Sequence, residues 1–583
     1  MNCPRDFILF GHRTAGKSSL GRILSERGFE VIDLDCAIET KTGRSAANLV
    51  AENWQHFRRL ETETLRDLLA QPQAETPRLI VCGAGIEEIP NHAIAVWIDR
   101  DGWEESARTE RERLRPELSW EEEVEWMRQT REPRYQRWAD LKVEIPRGRA
   151  LERVADELED LIVWTDSSSM LAPRTFVVPQ SQAEVAKAEY LARRLNLAGV
   201  EIRSDLETST SSPYLASLRG SNAAWLLEHL EAEAWDIDID YFADALNSGV
   251  FETPPRRLIL STHPNILAES TLKNLRDCYE QLRPEWKVAC EFKVAPRISG
   301  ISGLAQALAL WRGFDSAKTS FIPQGSNFVW LRFLKSFQNP LSYVRVGLSK
   351  ARGNRPGPTP HDLQDLLPIW TLIPDPSFQA LLGMPVQKSQ GDWWHRRAAL
   401  RAAQNHGYIK IPCEEAEFDI LTKLLRDLGV HELSITTPLK SVAARVIGAD
   451  RPINTLKFRG GTWMGTDTDE AGMRNALSGL PALEKRAAIV GQGDVSHAVS
   501  RSMKSEGWEV ELVRGRADTA IGPVPLVINA TGRELKRPVF TEVQIDLHYT
   551  SVAPSKAAIH LNGDRFFEGQ AREQRVYWFQ DGI

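Results

Sequence analysis

Residues 7–18 read Phe7-Ile8-Leu9-Phe10-Gly11-His12-Arg13-Thr14-Ala15-Gly16-Lys17-Ser18. The apolar run has the character of a strand, and the turn G-x-x-x-x-G-K-S follows it without a gap. Leu20, Ile23 and Leu24 then repeat at helical spacing. Strand, loop and helix in that order predict a phosphate cradle, because backbone N–H groups at a helix N-terminus curl round an anion. Gly11 and Gly16 permit the curl, Lys17 reaches the β- and γ-phosphates, and the Ser18 hydroxyl ligates Mg²⁺. The expected ligand is ATP with Mg²⁺.

Around this segment the chain runs to 583 residues, too long for one core, so several domains are expected. At 42% apolar and 26% charged it has the balance of an ordinary globular protein. No stretch is apolar and long enough to cross a bilayer, and Met1 to Asp6 lacks the apolar core of a signal peptide, so no membrane partner is expected. Cys3, Cys36, Cys82, Cys278, Cys290 and Cys413 are scattered without metal-ligand spacing, which predicts reduced thiols in a cytoplasmic or nuclear protein. The net charge of −7 and the lack of any DNA-binding pattern argue against direct DNA contact.

Downstream of the cradle, Val31-Ile32-Asp33-Leu34-Asp35 ends a second strand in two carboxylates. Asn53 to Glu61 is a helix containing Trp54, Phe57 and Arg58, and Ile80 to Gly85 is a strand entering a glycine turn. Arg115-Pro116-Glu117-Leu118 and Arg131-Glu132-Pro133-Arg134-Tyr135 follow. This ordered set resembles shikimate kinase. The resemblance implies that Asp35 binds ring hydroxyls and is the base candidate. It makes Arg58 and Arg131 a carboxylate clamp, lets Gly83 and Gly85 approach the ring, and gives Arg115 the lid role of neutralising the moving phosphoryl group. Ala84 and Glu117 depart from the family pattern.

After the polar stretch Thr165 to Ser169, strand-like and helix-like segments alternate as in βα units. Gly199 to Leu206, Leu258 to His263, Glu291 to Val294 and Gly325 to Arg332 resemble segments of type I 3-dehydroquinase, a TIM barrel. The resemblance implies an imine-forming Lys293 and a proton-moving His263, with Glu201, Arg203 and Arg332 orienting substrate. The interval Arg203 to His263 is short for that family, and no strand carrying a further arginine is evident in it. Leu331, Phe328 and the loop Pro356-Gly357-Pro358 also depart. A barrel lacking much of a βα unit is expected, with Lys293 and His263 as structural or ligand-sensing remnants.

Gly383 to Gln390, Leu433 to Lys440, Pro452 to Thr455 and Gly465 to Asp469 resemble shikimate dehydrogenase. By that resemblance Lys440 and Asp469 are the catalytic pair, and Asn454 and Gln570 bind substrate. Ala488-Ile489-Val490 then leads into Gly491-Gln492-Gly493-Asp494-Val495-Ser496, a Rossmann-type turn in which Asp494 adds negative charge at the pyrophosphate position. Arg514 and Arg516 follow about twenty residues later, where a 2′-phosphate is read, so NADP is the dinucleotide that would fit.

The expected fold class is multidomain α/β. It comprises a P-loop kinase-like domain at 1–164, a degenerate (β/α) barrel at 170–372, a dehydrogenase-like substrate domain at 373–480 and a Rossmann-like domain at 481–583. This order resembles the C-terminal part of the pentafunctional AROM proteins and, with degraded catalytic motifs, the fungal quinate repressor family. The second resemblance implies a transcriptional repressor that holds the activator protein of the quinate pathway and releases it to a shikimate- or quinate-like cyclohexane carboxylate. The alternative is an enzyme: an ATP-dependent shikimate kinase or, failing that, an NADP-dependent dehydrogenase.

Overall fold

The computed structural model describes residues 5–72, 76–110, 112–206, 208–210, 213–252, 256–312, 314, 318–325, 328–336, 338–347, 363–387, 389–514, 521, 523–533, 535, 541–547 and 557–579. The chain packs as two compact units, with the main boundary after Asp375; the short segments 100–103 and 144–154 group with the second.

The first sheet holds β1 (Asp6–Phe10), β2 (Glu30–Asp33), β3 (Arg78–Val81), β4 (Ile94–Arg100) and β5 (Leu141–Ile145) in the order β2-β3-β1-β4-β5. Strand β1 is buried along its whole length and pairs in parallel with β3 and β4. Its carboxyl end therefore opens at the middle of the sheet, where the strand order reverses and ligands bind in such folds. The chain turns there through Gly16, whose φ of 90° suits a residue without Cβ, and enters the helix Lys17–Glu26. Asn53 caps the helix Trp54–Ala70 by accepting the His56 N–H at 2.9 Å. Ser119 and Glu122 form a reciprocal capping box on the helix Trp120–Trp138.

Eight parallel strands follow: β6 (Thr175–Val178), β7 (Gly199–Arg203), β8 (Tyr214–Leu218), β9 (Ala234–Asp238), β10 (Leu258–Thr262), β11 (Cys290–Val294), β12 (Thr319–Phe321) and β13 (Ser342–Arg345). Their order runs β12-β11-β10-β9-β8-β7-β6-β13, the sequence of a (β/α) barrel wall. The Asn339 side chain bonds both backbone groups of Phe321, and Leu341 N–H donates to Ser320 Oγ at 3.1 Å, which ties β12 to the approach of β13. The expected gap in the wall is corrected here. The short interval is made by trimming the outer layer, not by losing a strand. Between β8 and β9 stands only a 3₁₀ segment, Ala223–His229, and among the described residues between β9 and β10 the longest helix is Phe242–Asn247. Strand β8 is present and leads directly to an arginine, Arg219.

In the second unit, β14 (Ser377–Gly383), β15 (His406–Pro412), β16 (Glu432–Ile435), β17 (Thr455–Arg459) and β18 (Thr462–Thr466) form a sheet in the order β15-β14-β16-β17-β18. Its last two pairings, β16–β17 and β17–β18, are antiparallel. A parallel sheet then runs β20-β19-β21-β22-β23, from β19 (Arg486–Val490), β20 (Glu509–Val513), β21 (Leu526–Asn529), β22 (Val543–Asp546) and β23 (Ile559–Leu561). The helix Asp564–Phe579 returns to the mixed sheet, where Trp578 Nε1 donates to the Leu456 carbonyl at 3.1 Å. It crosses the helix Asp469–Leu477 at small residues: a Cβ on Gly569 would lie 2.6 Å from the Ala471 carbonyl oxygen.

No helix among the described residues is long and apolar enough to cross a membrane.

Candidate functional site

At the phosphate cradle, Lys17 is buried and its Nζ donates to the carbonyls of Gly11 at 3.0 Å and His12 at 2.8 Å. Burial lowers its pKa to about 8. Among the described residues this ammonium bonds only neutral carbonyls, with Asp33 and Asp35 acting on it from a distance, and a nucleotide's phosphates would give it direct anionic partners. Ser18 is exposed, with Oγ 3.4 Å from Asp33 Oδ2, and Asp33 also caps the next helix by accepting the Asp35 and Cys36 N–H groups. A cation bridging nucleotide phosphates would meet a hydroxyl and a carboxylate there, as Mg²⁺ requires.

Beside it lies a polar pocket. Arg58 and Glu61, three residues apart on one helix face, are buried and paired, and Trp54 stacks on the guanidinium 3.9 Å from its centroid. Burial lifts Glu61 to about 7 even against the pull of Arg58. Asp35 is likewise raised, first by burial and then by Asp33, against Arg58 and Lys17. Gly83 lets Glu61 and Asp35 face the turn, since a Cβ there would sit 2.9 Å from Glu61 Oε1 and 3.6 Å from Asp35 Oδ1. Gly85 leaves room for the Arg58 guanidinium, which a Cβ there would force to shift. Arg131 is buried one helical turn before Tyr135, whose hydroxyl donates to the Ala84 carbonyl at 2.6 Å and so fixes the glycine turn. Trp126 lies under both Arg115, at 4.4 Å, and Arg131, at 5.7 Å. Buried Glu123 accepts the N–H groups of Leu114 and Arg115 at 3.1 Å each, fixing the backbone from which Arg115 extends. Asp35 Oδ1, Arg58 Nε, Glu61 Oε1 and one Nη of Arg131 are buried with no protein partner.

Inside the barrel wall, Lys293 on β11 pairs with Asp236 on β9. Arg219 also donates to Asp236, at 2.6 Å, and lies 3.7 Å from Glu201, which accepts the Ser217 hydroxyl at 2.7 Å. Burial opposes charge on Asp236, yet Arg219 and Lys293 outweigh it and hold the carboxyl well below the usual range. For Lys293 burial pushes the pKa down against the pull of Asp236. His263 Nδ1 lies 2.5 Å from Asp238 Oδ2, and burial pushes this imidazole's pKa down despite that bond. Glu201 and Lys293 are thus joined through Arg219 and Asp236, while His263 pairs separately with Asp238 on the same strand, β9. Arg203 instead makes a two-bond pair with its neighbour Asp205, at 2.9 and 2.6 Å. Arg332 is buried and donates twice to the Pro323 carbonyl, at 3.0 and 2.7 Å. Arg219, Asp236 and Asp238 escaped the sequence reading. The alternation Asp236-Ile237-Asp238 and the arginine ending an apolar run were the available signals. Pro356, Gly357 and Pro358 lie outside the described residues.

In the second unit, Lys440 Nζ donates to Asp469 Oδ2 at 2.5 Å, both groups buried. Asn454 Nδ2 donates to the other oxygen at 2.8 Å, and Gln570 Nε2 reaches that same oxygen. Asn454 Oδ1 accepts from Thr468 N–H at 2.9 Å and Thr455 Oγ1 at 2.9 Å, which fixes its amide orientation. Asp467, two residues before Asp469, is raised to about 6 by burial and then by Asp469. Ser389 Oγ accepts the Gly391 N–H at 3.2 Å, at the start of the helix Gly391–Arg401.

In the nucleotide-fold half, Gly491 and Gly493 flank the turn after β19, and Asp494 opens the helix Asp494–Ser505. Its carboxylate accepts the Ser441 hydroxyl at 3.2 Å. Arg514 is exposed just after β20, and Arg516 lies outside the described residues. A 2′-phosphate suits Arg514, but the acid at the helix start does not suit a pyrophosphate. The turn and NADP do not fit one another.

The family model for shikimate kinase matches residues 13–162. A shikimate kinase of Dehalococcoides mccartyi is 28% identical over 180 residues, covering 29% of this chain and 99% of that protein. A shikimate dehydrogenase (NADP(+)) of Prochlorococcus marinus is 30% identical over 135 residues, 22% of this chain and 47% of its own length. Pentafunctional AROM polypeptide 2 of Lodderomyces elongisporus is 22% identical over 605 residues, covering 89% of this chain and 37% of that protein. The chain spans less than half of these dehydrogenase and pentafunctional relatives. It is a multidomain α/β protein with shikimate-kinase-like and shikimate-dehydrogenase-like domains, similar to those of an AROM polypeptide.

Proposed function

We propose that this chain is a metabolite-responsive repressor that uses shikimate-pathway enzyme folds as sensors. It holds the activator protein of quinate utilisation, in the cytoplasm or nucleus, and releases it when a shikimate- or quinate-like cyclohexane carboxylate binds. The observation that carries the sensor part is the pocket of Asp35, Arg58, Glu61 and Arg131, each of which keeps one buried polar atom without a protein partner among the described residues. Two guanidinium groups answer a carboxylate and two carboxyl groups answer ring hydroxyls. Release then requires only that the metabolite favour the state with low activator affinity, a coupling of roughly 1–3 kcal/mol. Activator affinity measured with and without saturating quinate or shikimate tests the reading. Release by either is the expected result, and equal affinity throughout overturns it.

A second reading is favoured by the buried Lys17: ATP-dependent phosphorylation of shikimate. ATP with Mg²⁺ would supply the phosphoryl group. Lys17 and Ser18 would hold it, Asp35 would take the hydroxyl proton, and Arg115 would balance developing charge. Shikimate-dependent formation of ADP and phosphorylated shikimate, lost in Lys17→Ala, would place this reading first.

A further inference from the structure

The departure at residue 494 has a structural counterpart in a different part of the second unit. Asp494 begins the helix Asp494–Ser505 straight after Gly493, with its carboxylate at the positive end of that helix. Ser441, in the helix Lys440–Ile447 of the substrate domain, donates its hydroxyl to that carboxylate at 3.2 Å. Ser441 is the neighbour of Lys440, which is bonded to Asp469. The same two parts meet again where Arg501, on the helix that Asp494 opens, reaches the Asp467 carboxylate at 3.8 Å.

A helix start that follows a glycine turn at the end of a parallel strand is where such folds take a dinucleotide's pyrophosphate. Here the first residue of that helix itself carries a carboxylate of the same charge sign. It is engaged by a hydroxyl from the domain that would face the cofactor. We infer that Asp494 is an internal anion in place of the cofactor's pyrophosphate, so that the Lys440–Asp469–Asn454 site takes its small carboxylate without a dinucleotide. This inference deepens the sensor reading and rests on it for the identity of that ligand. It differs from a merely degenerate turn in one respect: removing a single negative charge restores dinucleotide affinity.

The experiment titrates NADP and NADPH into the full-length wild type, Asp494→Gly and Asp494→Asn, following nicotinamide fluorescence and calorimetric heat. Thermal melts of each protein confirm folding. The second variant keeps the side-chain volume and the hydrogen bond to Ser441 while deleting the charge. Both variants are expected to bind at least about tenfold more tightly than the wild type, as removal of a like charge at contact range predicts. Equal affinity in all three proteins, including no binding by any, overturns the inference. Shikimate is titrated in parallel, with and without NADP, into the Arg131→Ala variant, whose first-domain clamp is disabled and whose residue 494 is unchanged. Unchanged shikimate affinity is expected, and tighter binding with NADP overturns the inference. Loss of activator release with the charge effect intact would instead sink the repressor reading and leave this one standing.

Discussion

Lys17 is a cation whose folded-state pKa, about 8, lies below its ordinary value because burial disfavours the charge. The corresponding stability is fully present above the unfolded lysine pKa and is lost as pH falls through about 8. Nucleotide phosphates restore the charge, so ATP binding at pH 8 should draw up to about half a proton from buffer. Calorimetry in buffers of different ionisation enthalpy measures that uptake, and Lys17→Met should abolish it. Asp467 carries the opposite sign. Its pKa is raised to about 6, so its contribution is complete below the unfolded aspartate pKa and is lost as pH rises through about 6. Asp467→Asn should flatten unfolding free energy between pH 4 and 7 and raise it by about 2 kcal/mol at neutrality. Denaturant melts across that range decide it. Arg131→Lys keeps a charge but loses the planar fork, and should weaken shikimate binding at least about tenfold with little change in melting temperature.

At the level of elements, helices deliver the Arg58–Glu61 pair and the Lys440–Asp469 pair through local features, whereas strands carry the barrel cluster. Asn53 starts the helix Trp54–Ala70 and thereby places Trp54, Arg58 and Glu61 on one face. Asn53→Ala should cost about 1 kcal/mol, and Asn53→Asp should cost almost nothing, as urea melts would record. The Asp469–Leu477 and Asp564–Phe579 helices approach closely enough at Gly472 and Gly569 that Gln570 touches Asp469. The kinase-like elements were legible because their motifs are contiguous and adjoin strand ends. The barrel elements were less so. Strand β8 carries Ala216 and Ser217 in place of a longer branched run, and Arg219 finds its acid on the next strand. Such a partner is separated by a loop whose sequence records no pairing. Arg219→Met should cost about 3 kcal/mol, because it leaves Asp236 buried with Lys293 alone.

For the whole molecule, the consequence of two compact units is that one melting temperature does not describe it. Shikimate at a hundredfold excess over its Kd should add about 2.7 kcal/mol to the unit that binds it. Calorimetric scans with and without shikimate, repeated on Arg131→Ala, would separate binding in the first unit from binding at Lys440 and Asp469. The barrel shows how a fold tolerates erosion. Short connections between β8 and β10 shorten the chain but leave the parallel wall, which its hydrogen-bonded neighbours sustain.

By itself the sequence determined the P-loop motif, the run of kinase-like and dehydrogenase-like segments, and the reading that Lys440, Asn454 and Asp469 belong together, as they do in the fold. Each is a short motif whose spacing dictates its own backbone, and local chemistry survives without knowledge of the rest. Only the tertiary structure decided that β8 exists, that Arg219 and Asp236 hold Lys293, and that Arg332 is bound to a backbone carbonyl. It also decided that Asp494 meets Ser441 across 53 positions of chain. These are pairings between distant residues, set by which strand ends and helix starts the packing brings within reach of one another.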